Sequence, residues 1–533
     1  MDLSSLISVT TVTNLSLLFV VYWVGWIIYC RTFHPLAHVP GPLWPAVSNT
    51  WLRLPSLSMA VIKANFTRNP IDPISYANTV YHMYLGDVEV AQDKLHQQYG
   101  SLIRVAPNEV VSNDASAIPL IYRTHNPLNK TEWFANFRPR GISEHADLFT
   151  ELDESKHNRR RRVVQPAYQM ARVLKNEKAY DRCTMLLMKK LGELAAKEED
   201  VDLGHWIELY AHDILGSVFF GRAFGYLEKG GDIDAFIESV ATATPLMHVI
   251  AAAPSYVRGL ILMGAMCIPG TLKGLKAIEM MINEAKRQTK LGVERSAEDT
   301  KSRLDVCSQL LQIVNEKGSQ VDFTPNEVTL ESWTGLLAGS DSTASTMRTI
   351  LYFLMKNPDC MATAVQEIKS QEHLLSSPMT YMESTKHLPY VNACIKESSR
   401  NFSSVGISMS RVAPAQGIVL SNHHIPAGYA VGMNPYTVQR DPKLFGEDSR
   451  VFRPERWLQS QATNLEMEKG MITFGAGTHT CLGKNIALVE IHKLIPELLR
   501  RFDMHLVHDK PWRTQNAGFI KQKDIIVRLT PRA

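Results

Sequence analysis

The stretch Phe474–Asn485 reads FGAGTHTCLGKN, a single cysteine in a glycine-rich turn just ahead of an apolar run. After it, Ala487, Ile491, Leu494, Leu498 and Phe502 recur at helical spacing, so an amphipathic helix, bent at Pro496, is expected. Cys481 then lies at the N-terminal end of that helix, where the macrodipole and the loop amides favour a thiolate over a thiol. Gly475, Gly477 and Gly483 let the backbone turn tightly and approach a flat ligand closely. A thiolate so placed suits a metal or a nucleophilic role. The second needs a histidine base, and His479, two residues away, is the candidate the loop offers.

The other cysteines, at 30, 183, 267, 307, 360 and 394, are scattered singly, with no CxxC pair and no zinc-like spacing. They read as reduced thiols in a cytosol-facing domain, most of them small buried apolar groups. An apolar fraction of 45% and a charged fraction of 21% exclude a disordered or fibrous chain. A net charge of +4 gives no indication of a nucleic-acid partner, and the run Arg159–Arg162 reads first as a solvated helix face.

From Leu6 to Cys30 there is no charged residue, and as a helix this run spans roughly 37 Å, enough to cross a bilayer. No basic segment precedes it and no small-residue cleavage site follows, which favours a retained signal anchor over a cleaved peptide. Asp2 lies before it and Arg31 just after, so the positive-inside rule places the C-terminal part in the cytosol. A proline-dense segment, with Pro35, Pro40, Pro42 and Pro45, follows as a stiff spacer. The expected organisation is an anchor over 6–30, a linker over 31–50 and one catalytic domain over 51–533.

That domain reads as mainly α with a small β portion. Its longest helix starts at Thr324, which can cap, with Pro325 at the first position and Glu327 completing a capping box, and runs to Asn357. Gly339, Asp341, Ser342 and Thr343 interrupt its apolar middle, either as a functional distortion or as a packing glycine with solvated neighbours. Between Asn401 and Gly432, β-branched residues with Gly and Pro read as short strands. The segment Ala243–Gly270, apolar but broken by Pro245, Pro254 and Pro269, reads as a greasy lid or a surface dipping into the membrane.

The cysteine loop resembles the haem-binding signature of the cytochromes P-450, haem-thiolate monooxygenases, at Phe474, Gly475, Gly477, Cys481 and Gly483. Three further motifs are similar to that family in order and spacing. ESSR, Glu397–Arg400, matches ExxR; Asn434–Trp457 resembles the meander that ends in FxPER; and AGSDST, Ala338–Thr343, is similar to the oxygen-binding groove of the long helix. The resemblance covers the chain beyond the anchor and extends, in GISMSRVAP and IPAGYAVGMNPY, to the fungal pisatin demethylase-like group of secondary-metabolite enzymes.

The resemblance implies a P-450 fold behind one transmembrane helix, with iron protoporphyrin IX bound through Cys481. It implies a buried triad of Glu397, Arg400 and Arg456, and haem propionates held by His157, Arg161 and Arg411. His479 stands where the family often has arginine, and its hold should be softer. Asp341 takes the place of the acid that delivers protons; Ser342 replaces the usual threonine, keeping the hydroxyl without the methyl, and Thr343 shares the role.

Electrons are implied to come from NADPH through a membrane-bound NADPH-cytochrome P-450 reductase, with dioxygen as co-substrate, at the endoplasmic reticulum membrane. The reductase would dock where Lys484, Arg500 and Arg501 supply positive charge. The expected outcome is hydroxylation of a small to medium apolar substrate lined by Ala338, Val405, Ile407 and Phe519, with contributions from the 113–150 and 245–265 regions. Demethylation, desaturation, epoxidation or rearrangement on the same haem stay open, as does a non-catalytic haem electron carrier or sensor.

Overall fold

The uncharged N-terminal run forms one helix, α1 (Leu3–Ile28), continued by a π-helical turn over Tyr29–Phe33. Side chains from Leu15 to Tyr22 stand outward with no core to bury them, as a lipid-facing helix requires. It is the one helix among the described residues long and apolar enough to cross a membrane. The computed structural model describes residues 3–42, 46–47, 82, 85–252, 255–266, 271–295 and 303–532. Cys267, Pro254, Pro269, most of 43–81 and the expected domain start at residue 51 lie outside them.

The end of the anchor is tied to the body by Arg104. This fully buried arginine donates to the carbonyls of Cys30 (3.1 Å), Leu36 (3.4 Å) and Pro107 (2.9 Å), and its Nη2 lies 3.0 Å from His34 Nδ1. Spending a buried guanidinium on loop carbonyls satisfies backbone groups that a proline-rich turn cannot pair for itself.

The helices that position the site are α2 (Val88–Tyr99), α3 (Glu154–Val164), α4 (Leu203–Phe220), α5 (Phe236–Ala252), α6 (Pro325–Lys356), α7 (Pro389–Asn401) and α8 (Lys484–Arg501). α6 begins as its sequence dictates. Thr324 accepts from the first-turn amides and the Glu327 carboxylate returns to Thr324, a complete capping box. Its 32 residues cross the domain, about 48 Å.

α4 lies along α6, and the contact explains two glycines. A Cβ on Gly335 would fall 2.2 Å from Phe219, and one on Gly339 2.9 Å from Leu215. Gly339 is therefore a packing glycine, and α6 runs unbroken through Ala338–Thr343. The hydroxyls of Ser340 and Ser342 donate back to the carbonyls of Leu336 and Ala338, which satisfies them within a helix that stays continuous.

The β portion is small. A sheet of β1 (Leu102–Ala106), β2 (Glu109–Ser112), β3 (Arg411–Val412) and β4 (Ala430–Gly432) has the order β1-β2-β4-β3, with β2 and β4 parallel. Leu36 and Val39, just past the anchor, bury in the core of this sheet. A hairpin of β5 (Arg513–Ala517) and β6 (Phe519–Lys523) lies on α6: Ser345 Oγ donates to the Ile520 carbonyl at 2.7 Å, and Gln522 Nε2 donates to Ser345 and Thr349. The main core is helical and holds α4, α6, α7 and α8 together.

Candidate active site

The cysteine loop is a tight turn laid against the start of α8. The Cys481 amide donates to the Phe474 carbonyl at 2.7 Å, and Thr480 Oγ1 to the Gly477 carbonyl at 2.9 Å. Gly475 and Gly477 take φ of +70° and +64°, and a Cβ on Gly477 would meet the carbonyl oxygens of Tyr122 and Arg123 at 2.4 and 2.6 Å. Only glycine fits there. Arg161 on α3 fixes the loop from the other side, its Nη2 donating to the Thr480 carbonyl at 2.8 Å.

The amides of Gly483 and Lys484 bond to the Cys481 sulfur, and Arg161 adds positive charge nearby. Burial outweighs them and pushes the thiol up. The donors expected from the helix end are in place, though burial outweighs them. Cys481 lies deep in the protein volume, yet its surface is exposed, which puts it on the wall of an internal space.

Behind the loop, Glu397 on α7 gathers donors from its own helix and from the 453–457 segment. Arg400 Nε and Nη2 reach its two oxygens at 2.8 Å each, Arg456 Nε comes at 2.9 Å, Trp457 Nε1 at 2.9 Å and the Arg453 amide at 3.0 Å. Burial alone would raise this carboxyl; Arg400, the Arg453 amide and Arg456 hold it below the usual range. The guanidiniums run onward, Arg400 to the carbonyls of Gln439 and Ser449, and Arg456 to the Phe445 carbonyl and, at 3.3 Å, to the half-exposed carboxylate of Asp448, the second anion of the cluster.

On the far side of the loop the structure gathers His157, His479 and Arg411. The His157 and His479 rings lie 4.2 Å apart, and His479 Nε2 is 2.8 Å from Glu154 Oε1. Arg411 is buried over the rings of Tyr122 and Phe134, and the buried Lys130 ammonium donates to the carbonyls of Leu148, Phe149 and Glu151. Burial, then the cations Lys130, Arg411 and Arg161, push His479 down to about 2. Burial and the neighbouring His479 push His157 down to about 3.

Two observations test whether this corner fits a haem. Arg411, Arg161 and Lys130 gather around His479 and Glu154, with Asp147 and Glu151 also near Lys130, so cations converge on a corner where two propionates would find partners. His157 Nδ1 is buried without a partner, a donor or acceptor waiting for one. With the sulfur and its amides opposite, the residues fit an iron porphyrin carrying two carboxylates.

The distal helix α6 presents Ala338, exposed between half-buried Leu337 and Gly339, and Ser342, whose accessible Oγ donates to the Ala338 carbonyl at 2.6 Å. Asp341 is half-buried, while Thr343 is buried. Val405 bridges Phe519 as an isolated β contact, and Ile407 packs with Val405, Trp133, Val88 and Ala252. Trp133 meets His248 of α5 with ring centroids 5.8 Å apart. The 113–150 loop, α5, the strand after ExxR and the β5–β6 hairpin thus pack against one another.

Lys130, Trp133, Glu154 and His248 carry no motif. Only the position of Glu154, in the first turn of the helix that bears His157, offered a signal. The expected docking role of Arg500 and Arg501 needs correction. They end α8, sixteen residues and about 24 Å beyond Lys484, and are tied to Glu372 and Glu497. The basic residues beside the cysteine loop are Lys484 and, on the exposed face of α3, Lys156, Arg159 and Arg162.

The family model described as "Cytochrome P450" matches residues 80–527. The chain is 37% identical to the cytochrome P450 monooxygenase gsfF of Penicillium aethiopicum, over 96% of each chain. It is 41% identical to ACRTS1 of Alternaria alternata, over 70% of this chain and 99% of that one. It is 28% identical to pisatin demethylase of Fusarium vanettenii, over 94% of this chain and 90% of that one. Fold, cysteine loop and relatives agree: the chain belongs to the cytochrome P450 family, among fungal monooxygenases.

Proposed function

We propose that this protein is a membrane-anchored monooxygenase that hydroxylates a small to medium apolar substrate in fungal secondary metabolism. The observation that carries the reading is Cys481, its sulfur bonded by the Gly483 and Lys484 amides and facing an internal space. Haem would be held through the Cys481 sulfur, with His157, Arg411 and Arg161 available to its carboxylates and His479 steadied by Glu154. Bound there, the haem supplies dioxygen activation and oxygen transfer to a C–H bond.

The chain's own residues position substrate and move protons. Ser342 Oγ keeps its proton on the Ala338 carbonyl; turning the hydroxyl releases it toward the chamber, and half-buried Asp341 resupplies it. Thr343, buried, supports the helix at this point. Phe474 carries the loop carbonyl that fixes the cysteine, Gly477 lets the loop lie against the Tyr122 and Arg123 carbonyls, and Gly483 gives its amide to the sulfur. Glu397, Arg400 and Arg456 hold the scaffold rigid behind it. Ala338, Val405, Ile407 and Phe519 give the chamber an apolar wall that limits water.

Electrons would come from NADPH through a reductase docking on Lys156, Arg159, Arg162 and Lys484, the exposed cations beside the cysteine loop. α1 is the single-pass anchor in the endoplasmic reticulum membrane, followed by the linker over 31–50 and one domain over 51–533 facing the cytosol. Demethylation stands as a second reading, favoured by the name of the pisatin demethylase relative. The test is to incubate membranes holding the protein and a reductase with candidate metabolites under labelled dioxygen. NADPH-dependent gain of one labelled oxygen supports hydroxylation; loss of a methyl group as formaldehyde supports the second reading; turnover without NADPH contradicts both.

A further inference from the structure

Val405 and Phe519 pair where the strand after ExxR meets the turn of the β5–β6 hairpin. Two backbone bonds frame them: the Ile520 amide donates to the Ser404 carbonyl at 2.8 Å, and the Gly406 amide to the Gly518 carbonyl at 3.4 Å. In a pair framed this way the two side chains stand close together on one face. Asn516 and Ile520 are cross-strand partners in the hairpin, so they share the face opposite Phe519, as Gly406 lies opposite Val405. Val405 and Phe519 are half-buried, whereas Gly406, Asn516 and Ile520 are buried. The joint thus has one half-buried apolar face and one fully enclosed face.

The enclosed face carries a polar network centred on Asn516. Its Nδ2 donates to Glu89 Oε2 at 2.5 Å and to the Gly406 carbonyl at 2.9 Å, its Oδ1 accepts from the Gly518 amide at 3.0 Å, and its own amide donates to the Gly86 carbonyl at 2.8 Å. A second carboxamide repeats the tie: Asn434 Nδ2 donates to the Gly406 carbonyl at 3.0 Å and to Gln92 Oε1 at 2.8 Å. Glu89 and Gln92 are three residues apart on α2, so one helix face anchors both. The fit is close. A Cβ on Gly406 would fall 2.4 Å from Asn516 Nδ2, and one on Gly518, where φ is +88°, 1.9 Å from His248 Nε2.

Enclosing such a network has a free-energy cost. Burial pushes the Glu89 carboxyl up to about 7 although the Asn516 bond draws it down, and the amides of Gln92, Asn434 and Asn516 are buried with it. An apolar filling avoids that cost; a satisfied polar network supplies a single fixed geometry instead. What it fixes is the backbone at Gly406 and Gly518, next to Val405 and Phe519. We propose that Asn516, held by Glu89, is a positioning residue for substrate selection: it locks the Val405 and Phe519 side chains into one rigid apolar wall, so that apolar substrates are selected by shape. This inference deepens the monooxygenase reading and rests on it, since that reading sets both side chains against the substrate.

The test uses the full-length, haem-loaded protein in nanodiscs and two probes, imidazole and 4-phenylimidazole, each titrated by the Soret shift on nitrogen ligation. Burial of the phenyl ring should make the larger probe bind at least about tenfold more tightly to the wild type. Asn516→Leu and Glu89→Leu should each cut that ratio about fivefold with imidazole affinity unchanged, and speed hydrogen exchange in the peptides over 404–407 and 517–520 about tenfold. Glu89→Gln, which keeps an acceptor for Asn516, should hold the wild-type ratio. A purely structural network would lower stability and haem content but leave the ratio of the loaded protein unmoved. That result, equal binding of the probes by the wild type, or a ratio lost as fully in Glu89→Gln as in Glu89→Leu, would overturn the proposal. Should Asn516→Leu fail to load haem, Glu89→Leu decides by the same criteria. The reduced, CO-bound spectrum of the wild type reports thiolate ligation separately: its failure overturns the monooxygenase reading, whereas a thiolate-ligated protein with an unmoved ratio overturns this proposal alone.

Discussion

Glu397 and Arg400 hold each other in a fully buried, two-pronged ion pair, with Arg400 Nε and Nη2 each 2.8 Å from a different carboxylate oxygen. On a helix surface such an i,i+3 pair contributes tenths of a kcal/mol. Here it is the hub that also receives Arg456, Trp457 and the Arg453 amide. Removing one partner strands two buried guanidiniums. Glu397→Ala is therefore expected to cost about 3–5 kcal/mol, read as a large fall in the thermal midpoint and loss of haem on purification. A variant as stable and as haem-rich as the wild type would show that the triad does not support the cysteine loop.

The hydroxyl of Ser342 is accessible and bonded back to Ala338, with Asp341 beside it in sequence. Asp341→Asn with Ser342→Ala is expected to lower product formation by about 10²-fold while leaving the reduced, CO-bound spectrum unchanged. The missing product should reappear as hydrogen peroxide released per NADPH consumed. Unchanged coupling would favour a haem protein that carries electrons or senses a gas, since neither needs an acid and an alcohol in the distal helix.

Glu331, on α6 two turns past its cap, is fully buried; burial and Asp147 push its carboxyl up to about 8, and its Oε1 has no partner. The folded value lies above the unfolded one, so the protein is favoured while the group stays protonated. That stability is fully present below about pH 4.5 and is lost as pH rises toward 8. Glu331→Gln should thus gain about 4 kcal/mol over wild type at pH 8 and under about 1 kcal/mol at pH 5, read from melts at the two pH values. A constant offset would mean the carboxyl is ionised throughout.

Lys156, Arg159 and Arg162 share the exposed face of α3, and Arg161 ties the same helix to the cysteine loop. Reversing Lys156 and Arg159 to Glu should raise the reductase KM severalfold and flatten its dependence on salt, without slowing reduction by dithionite. An equal effect with both reductants would place the fault in the haem site and not in docking.

Features set by local chemistry were legible in the sequence. Thr324, Pro325 and Glu327 announce the start of α6 within four residues, and the capping box forms as written. The glycines around Cys481 likewise report a backbone constraint that is local in the chain. Charges and rings that meet only through the fold were not legible. Glu154 and His479 lie 325 residues apart, and no periodicity links them. Trp133 and His248 meet because α5 packs over the loop that carries Trp133, and each alone reads as an ordinary core ring. Gly339 was ambiguous because helix strain and helix packing both use glycine; Leu215 decides for packing. Arg500 and Arg501 looked close to the cysteine in sequence, but a helix keeps them about 24 Å from Lys484.

The central claim is that Cys481 binds a haem iron as thiolate, and one measurement tests it most directly. The absorption spectrum of the reduced, CO-bound protein should show the strongly red-shifted Soret band of thiolate ligation, and Cys481→Ala should abolish that band. A wild-type protein without the shifted band, or a Cys481→Ala variant that keeps it, would contradict the account.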